Sequence, residues 1–335
     1  MSEATTKRLY DNHGRRINYL RLAVTDRCNL RCFYCMPEEG IDYVPRTELL
    51  TYEEMLRLVR LLADHGVTKI RITGGEPFVR KGMMSFLGQL VGIPGIRDVH
   101  ITTNGSYTAD VVGDLKQLGI ASVNLSLDTL DKERFLAITR RDLFDNVMQT
   151  FDRLVASGIP TKINTVVMSG HNTQDIVPLV GLTRDLPIGV RFIEEMPFNG
   201  SGAREVGIPW DHRRILEEIR SAYPTIEKIP DPQFSTSANY RIPGFKGTVG
   251  IIAAFSRTFC GTCNRLRVTP QGVLKTCLYD GGIFNIKDLM RQGATDSQVV
   301  QALTDALSNR ARDGWEAEQR QRQRPVSESM STIGG

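Results

Sequence analysis

No run of apolar residues in this 335-residue chain approaches the roughly 18 positions needed to cross a bilayer. No membrane partner is therefore expected. The opening stretch MSEATTKRLYDNHG lacks the apolar core of a secretory signal, and a soluble, cytoplasmic chain is expected. An excess of one charge is missing too. The 42 basic and 38 acidic residues leave a net charge of only +4, with no long basic run. Nucleic acid is not expected as a partner, while an anionic small molecule is permitted. Histidine is scarce, with five residues and none beyond position 212. No G-x-x-x-x-G-K-[ST] run occurs, so a nucleotide would not be held by a P-loop. Low-complexity tracts and repeats of solenoid length are also absent.

The cysteines stand out against these absences. Six occur in two groups of three: Cys28, Cys32 and Cys35 in CNLRCFYCMPEEG, then Cys260, Cys263 and Cys277 in FCGTCNRLRVTPQGVLKTC. In a reducing compartment such groups point to metal or catalysis rather than disulfides. The first spacing is C-x3-C-x2-C and the second C-x2-C-x13-C. A structural zinc site closes with four Cys or His ligands, and no histidine stands at ligand spacing from either group. Three thiolates can instead hold an iron–sulfur cubane with one iron left open. Cysteines that only pack or bind zinc remain the alternative for the first group, and an incomplete zinc knuckle for the second.

Six short runs rich in Val, Ile and Thr read as strands: 19–25, 67–73, 98–103, 122–127, 161–167 and 189–195. Amphipathic segments alternate with them. The clearest, 51–66, opens on Thr51 with Glu54 three residues on, a capping box. It carries Met55, Leu58, Val59 and Leu62 on one face and ends at Gly66. Strand–helix alternation predicts parallel sheet. Six units make an open partial barrel, with a flavodoxin-like sheet as the competing topology. After residue 196 the alternation stops. The stretch 199–209 reads as a linker, a helix is expected over about 211–222, and a second module follows.

In such sheets ligands sit at the carboxyl ends of the strands. The first cysteine loop, TGGEP (73–77), TTNG (102–105), SLD (126–128) and EEMP (194–197) all fall there. Gly74 and Gly75 remove the Cβ where backbone approaches a ligand. In the run after Cys263, strand alternation puts Arg265 and Arg267 on one face and Leu266 on the other. Two adjacent guanidiniums suit a polyphosphate.

The C-x3-C-x2-C loop with Tyr34, followed by GGE, resembles the radical S-adenosylmethionine (SAM) superfamily. That resemblance implies a partial (βα)6, TIM-like barrel over 1–200. It also implies a [4Fe–4S] cluster on Cys28, Cys32 and Cys35, and SAM bound by Tyr34, Gly75, Glu76, Ser126 and Met196. LRLAVTDRCNLRCFYCMP, IRITGGEP, CNRLRVT and the terminal Ile333-Gly334-Gly335 resemble, more narrowly, the GTP 3′,8-cyclase family of molybdenum-cofactor biosynthesis. This implies a second [4Fe–4S] cluster on Cys260, Cys263 and Cys277 in a C-terminal region over 201–335. GTP contacts would fall on Arg21, Arg71, Thr102, Lys162, Arg265, Leu266 and Arg267. A Gly-Gly tail would reach back into the site. Arg191, in the sixth strand, falls in the same mouth without an implied role. The resemblance further implies a flavodoxin- or ferredoxin-type electron donor, a downstream cyclic pyranopterin monophosphate synthase and a homodimer. A radical SAM enzyme with another substrate and a zinc-stabilised binding module are the competing readings.

Overall fold

The computed structural model describes residues 8–198, 209–321 and 328–334. The linker expected at 199–209 lies almost wholly outside them, as does Gly335 of the Gly-Gly tail.

All six expected strands form: β1 (Tyr19–Ala23), β2 (Lys69–Thr73), β3 (Asp98–Thr103), β4 (Ser122–Ser126), β5 (Thr161–Val167) and β6 (Gly189–Glu194). Each lies parallel to the next, with helices in the connections. The helix expected from 51 runs Tyr52–Asp64. Thr51 Oγ accepts from Glu54 N, the Glu54 carboxylate returns to Thr51 N, and Met55, Leu58, Val59 and Leu62 are buried. Gly66, at φ +90°, turns the chain out of it. The helix expected near 211–222 runs His212–Ala222, capped by Asp211.

The C-terminal region adds six strands: β7 (Glu227–Lys228), β8 (Ala238–Arg241), β9 (Thr248–Ile252), β10 (Arg265–Val268), β11 (Val273–Lys275) and β12 (Phe284–Asn285). They do not form a separate sheet. The order is β12-β11-β10-β1-β2-β3-β4-β5-β6-β9-β8-β7, so the C-terminal strands extend both edges of the barrel sheet. β10 runs parallel to β1 and β9 parallel to β6. The strands β1 to β6 stand in chain order, without the reversal that a flavodoxin-like sheet requires. The sheet does not close on itself, so the barrel is partial.

Alternation within the strands sets up the site. In β1, Leu20 and Leu22 are fully buried, as are Leu266 and Val268 in β10 and Ile70 and Ile72 in β2. These join the main apolar core. The residues between them face the other way, into the barrel mouth.

Candidate active site

One cavity of about 490 Å³ occupies that mouth, and both cysteine triads line it. The six cysteines are unbridged. Among the described residues no group of three His, Cys, Asp or Glu side chains is set to hold a single metal ion. The triads are two thiol rims on a shared space, and three thiols on a rim suit a multi-atom iron–sulfur group better than one zinc ion.

Cys28, Cys32 and Cys35 occupy the loop after β1, where Cys35 N and Met36 N both donate to Cys32 O (2.9 and 3.0 Å). Burial, and then Glu76, pushes the Cys28 thiol up to about 11; burial, and then Cys28, pushes Cys35 up to about 12. Cys32 is raised as well, by burial and then by Asp128 and the other two thiols. Thiols raised in this way stay protonated unless a cationic group joins them, and the iron of a cluster would be such a group.

The neighbouring GGE turn is built to hold this loop. Gly75 N donates to Thr25 O (2.7 Å) and Glu76 N to Arg27 O (2.8 Å). A Cβ on Gly75 would stand 2.2 Å from Arg27 O, and one on Gly74, at φ +147°, 2.6 Å from Thr25 O. Both glycines line the cavity, but the close approach that demands glycine is to the cysteine loop rather than to a ligand. Glu76 departs from expectation. It is fully buried, does not line the cavity, and its carboxylate already accepts from Phe78 N (3.1 Å), Thr103 Oγ1 (2.8 Å) and Asn104 N (2.6 Å). Those three bonds staple the ends of β2 and β3 beside Cys28. Tyr34, Gly75, Ser126 and Met196 do line the cavity. The Tyr34 hydroxyl donates to Asp128 Oδ2 (2.8 Å), which ties the cysteine loop to the end of β4.

The cations gather by strand register. Arg267, Arg21, Arg71 and His100 stand directly opposite one another across β10, β1, β2 and β3. The three arginines so placed are like charges and repel, while His100 continues the row as a neutral ring. Lys162 and Arg191 follow on β5 and β6. Gly189 stands opposite Lys162 and Gly250 opposite Arg191. A Cβ on either glycine would lie 3.2 Å from Lys162 Cγ or 3.1 Å from Arg191 Cγ, so the missing side chains give these cations room. Burial and then neighbouring cations press Arg21, Arg267, Arg191, Lys162 and His100 toward neutrality. Arg21 is held well below its ordinary value, by burial and then Arg267. Arg267 and Arg191 fall to about 10, Lys162 to about 8 and His100 to about 2. Tyr19 is raised by burial, but Arg71 and Arg21 outweigh this and bring it down to about 7. Among the described residues neither Lys162 nor Arg191 has an anionic partner. Asn124 Oδ1, Asn164 Oδ1 and His100 Nε2 are buried without a hydrogen bond, and all three residues line the cavity. A space with this lining fits a polyanion that also carries donors.

Of the seven residues expected to contact GTP, Arg21, Arg71, Thr102, Lys162, Arg265 and Arg267 line the cavity. Leu266 does not. It is 0% exposed in the core behind the sheet, as the alternation of β10 requires. Arg265 Nε donates to Cys263 Sγ (3.4 Å) and Arg71 Nε to the Tyr19 hydroxyl (2.7 Å).

The second triad sits on the turn Cys260–Thr262 and just after β11. Burial raises Cys260, and it takes Cys277 to about 11. On Cys263 burial also acts upward, but Arg265 and Arg310 outweigh it and bring the thiol down to about 6.

The end of the chain enters the same mouth. Ser329 Oγ donates to Cys35 O (2.6 Å), and Ile333 packs with Phe198 and Tyr279 in a small second core. Gly334 O accepts from Arg21 Nη2 (3.3 Å) and Arg267 Nη1 (3.1 Å).

Sequence reasoning missed Tyr19, Lys69, His100, Asn124 and Asn164 in the lining. Each follows from strand alternation once Arg21, Arg71 and Lys162 are assigned to the mouth. Arg310 was missed too, and it belongs to no motif.

An open parallel barrel sheet with a C-x3-C-x2-C triad at its strand ends is the construction of a radical SAM enzyme. Residues 22–182 match the Radical SAM superfamily model, and residues 188–315 match Molybdenum Cofactor Synthesis C. The fold is similar to that of Streptococcus suis SuiB bound to S-adenosylmethionine (TM-score 0.61, 16% identity, 89% of this chain and 67% of that one). The chain is 39% identical to the GTP 3′,8-cyclase of Desulforamulus reducens, over 98% of its own length and 100% of that protein. It is 41% identical to Molybdenum cofactor biosynthesis protein 1 of Bos taurus, over 91% of its own length, and spans about half (48%) of that protein. The chain belongs to the GTP 3′,8-cyclase family.

Proposed function

We propose that this chain converts GTP to 3′,8-cyclo-7,8-dihydro-GTP in molybdenum-cofactor biosynthesis. The observation that carries the reading is the convergence on one cavity of two thiol triads and a row of dehydrated cations. Cys28, Cys32 and Cys35 would hold the first cluster, and Cys260, Cys263 and Cys277 a second. Held there, the first cluster would supply the one-electron chemistry of SAM cleavage, directed at the ribose C3′ position. Tyr34, Gly75, Ser126 and Met196, which line the cavity, would border its SAM end. Arg21, Arg71, Lys162, Arg191 and Arg267 draw in the triphosphate, and Asn124 and Asn164 offer acceptors to donors on the nucleoside. The second triad would seat the guanine. A one-electron donor of flavodoxin or ferredoxin type, a downstream cyclic pyranopterin monophosphate synthase, a homodimer and residence in the cytoplasm complete the reading. No helix among the described residues is long and apolar enough to cross a membrane.

The test is anaerobic reconstitution with iron and sulfide, reduction, and addition of SAM with and without GTP. A new GTP-derived product together with 5′-deoxyadenosine is expected. 5′-Deoxyadenosine without any such product would sink the cyclase assignment.

Lys162 makes a further prediction. Burial holds it at about 8, and a bound triphosphate returns it toward its ordinary value near 10.5. Between about pH 8 and 9.5, GTP binding therefore takes up a proton, and affinity falls as pH rises through that window. Titration calorimetry in two buffers of different ionisation enthalpy reads the uptake. Heats that do not depend on the buffer would count against Lys162 as a phosphate contact.

A further inference from the structure

We propose that Arg310 is the positioning residue of the second thiol triad, acting through a buried clamp shared with Asp11 and Arg15. The inference rests on the reading that Cys260, Cys263 and Cys277 jointly hold one group.

Arg310 is 2% exposed, and all five of its guanidinium N–H donors are used. Nε donates to Thr276 O (3.0 Å). Nη1 donates to Cys263 O (3.0 Å) and to Asp11 Oδ2 (3.0 Å). Nη2 donates to Arg265 O (3.0 Å) and to Cys263 Sγ (3.2 Å). One planar fork thus binds the backbone beside Cys277, the backbone of Cys263 and β10, and a sulfur of the triad itself. Arg15 covers the third cysteine, because its Nη1 donates to Cys260 O (3.2 Å).

Asp11 joins the two arginines. Its Oδ2 accepts from Arg15 Nε (2.6 Å) and from Arg310, while Oδ1 accepts from the backbone N–H of His13 (2.9 Å) and Arg15 (2.9 Å). Both charges of the clamp are thereby balanced in part by one carboxylate. The backbone O of Arg310 is fixed by His13 Nε2 (3.0 Å). A lysine has the charge but not the geometry, since three donors from one point cannot reach five acceptors in a plane. N–H···S bonds to a cluster ligand also bear on its potential, so the clamp acts on more than fold.

The test uses the full chain with Cys28, Cys32 and Cys35 all replaced by Ala, so that only the second triad can load. Arg310→Lys and Arg310→Gln are compared with this parent for iron and sulfide bound per chain and for the midpoint potential of the loaded group. Folding is followed by circular dichroism. Both variants are expected to bind less than half the parent's iron, and the loaded fraction to show a lower potential. Equal iron at equal potential would overturn the proposal. So would a loss of thermal stability with both readouts unchanged, since that marks a role in folding alone. A parent that binds no iron defeats the cluster reading rather than the clamp. Hydrogen exchange at 260–265 and 276–277 then decides in the iron-free chains. Exchange at least tenfold faster in Arg310→Lys upholds the clamp, and equal exchange overturns it.

Discussion

Removing residues 328–335 is expected to lower formation of the GTP-derived product at least 100-fold while leaving 5′-deoxyadenosine formation measurable. The tail gives the mouth a wall. Glu328 pairs with the buried Lys275, Ser329 bonds to Cys35 O, and Gly334 O occupies Arg21 and Arg267. Without it two arginines of the phosphate row lose a fixed partner. A milder variant gives the same result for a different reason. Gly334 adopts φ +72°, and a Cβ there would stand 2.7 Å from Thr73 Oγ1 and 2.8 Å from Ala23 Cβ. Gly334→Ala therefore meets both backbone strain and a clash, and must withdraw the carbonyl from the arginines. Chromatographic assay of both products under reducing, anaerobic conditions checks the split. Product formation within threefold of the parent in the truncated chain would show that the tail is a bystander.

Arg191→Met is expected to raise stability and destroy turnover together. Arg191 is half-buried in the cavity wall, where desolvation and then Arg71 draw it down to about 10, and among the described residues it has no anionic partner. An uncompensated buried cation is costly, and an apolar replacement of similar length relieves it by about 1 kcal/mol or more. Hydrogen bonds to a charged group contribute about 1.5–3 kcal/mol each, and about 1.4 kcal/mol is a factor of ten. Loss of two contacts to phosphate would then lower kcat/KM for GTP by about 100-fold or more. The melting temperature of the iron-free chain and steady-state kinetics of the loaded one read the two effects. A lower melting temperature with unchanged kinetics would place Arg191 in the scaffold. Opposite movements would mark it as a residue kept for function at a cost in stability.

The parts of this molecule that were legible in the sequence are those encoded locally. Six strands announced themselves by β-branched runs, and the helix after Thr51 by its capping box. The cysteine triads were readable as spacing alone. Alternation separated Arg265 and Arg267 from Leu266, whose side chain lies in the core behind the sheet. What stayed hidden depends on pairing across long distances. Nothing local says that β10 will join β1, or that β9 will join β6. Without those pairings the row Arg267–Arg21–Arg71–His100 does not exist. Arg310 and Asp11 lie in stretches with no motif, so their convergence on Cys263 is visible only in three dimensions. The three protein donors to the Glu76 carboxylate were hidden for a related reason, since they come from Phe78, Thr103 and Asn104.

The edge pairing of β1 also sets a timetable. Asn18 and Asn264, which precede β1 and β10 and bond to each other, are 246 positions apart. At about 5–20 residues per second, a ribosome needs roughly 12–50 s to travel that distance. Throughout that interval one edge of β1 has no partner, and the first thiol loop stands beside it. An unpaired strand edge invites association with other chains, and exposed thiols invite oxidation. The order of synthesis therefore leaves the nascent barrel most vulnerable in the period before its last strands emerge. Production of the protein should be more sensitive to oxygen and crowding than the finished chain is.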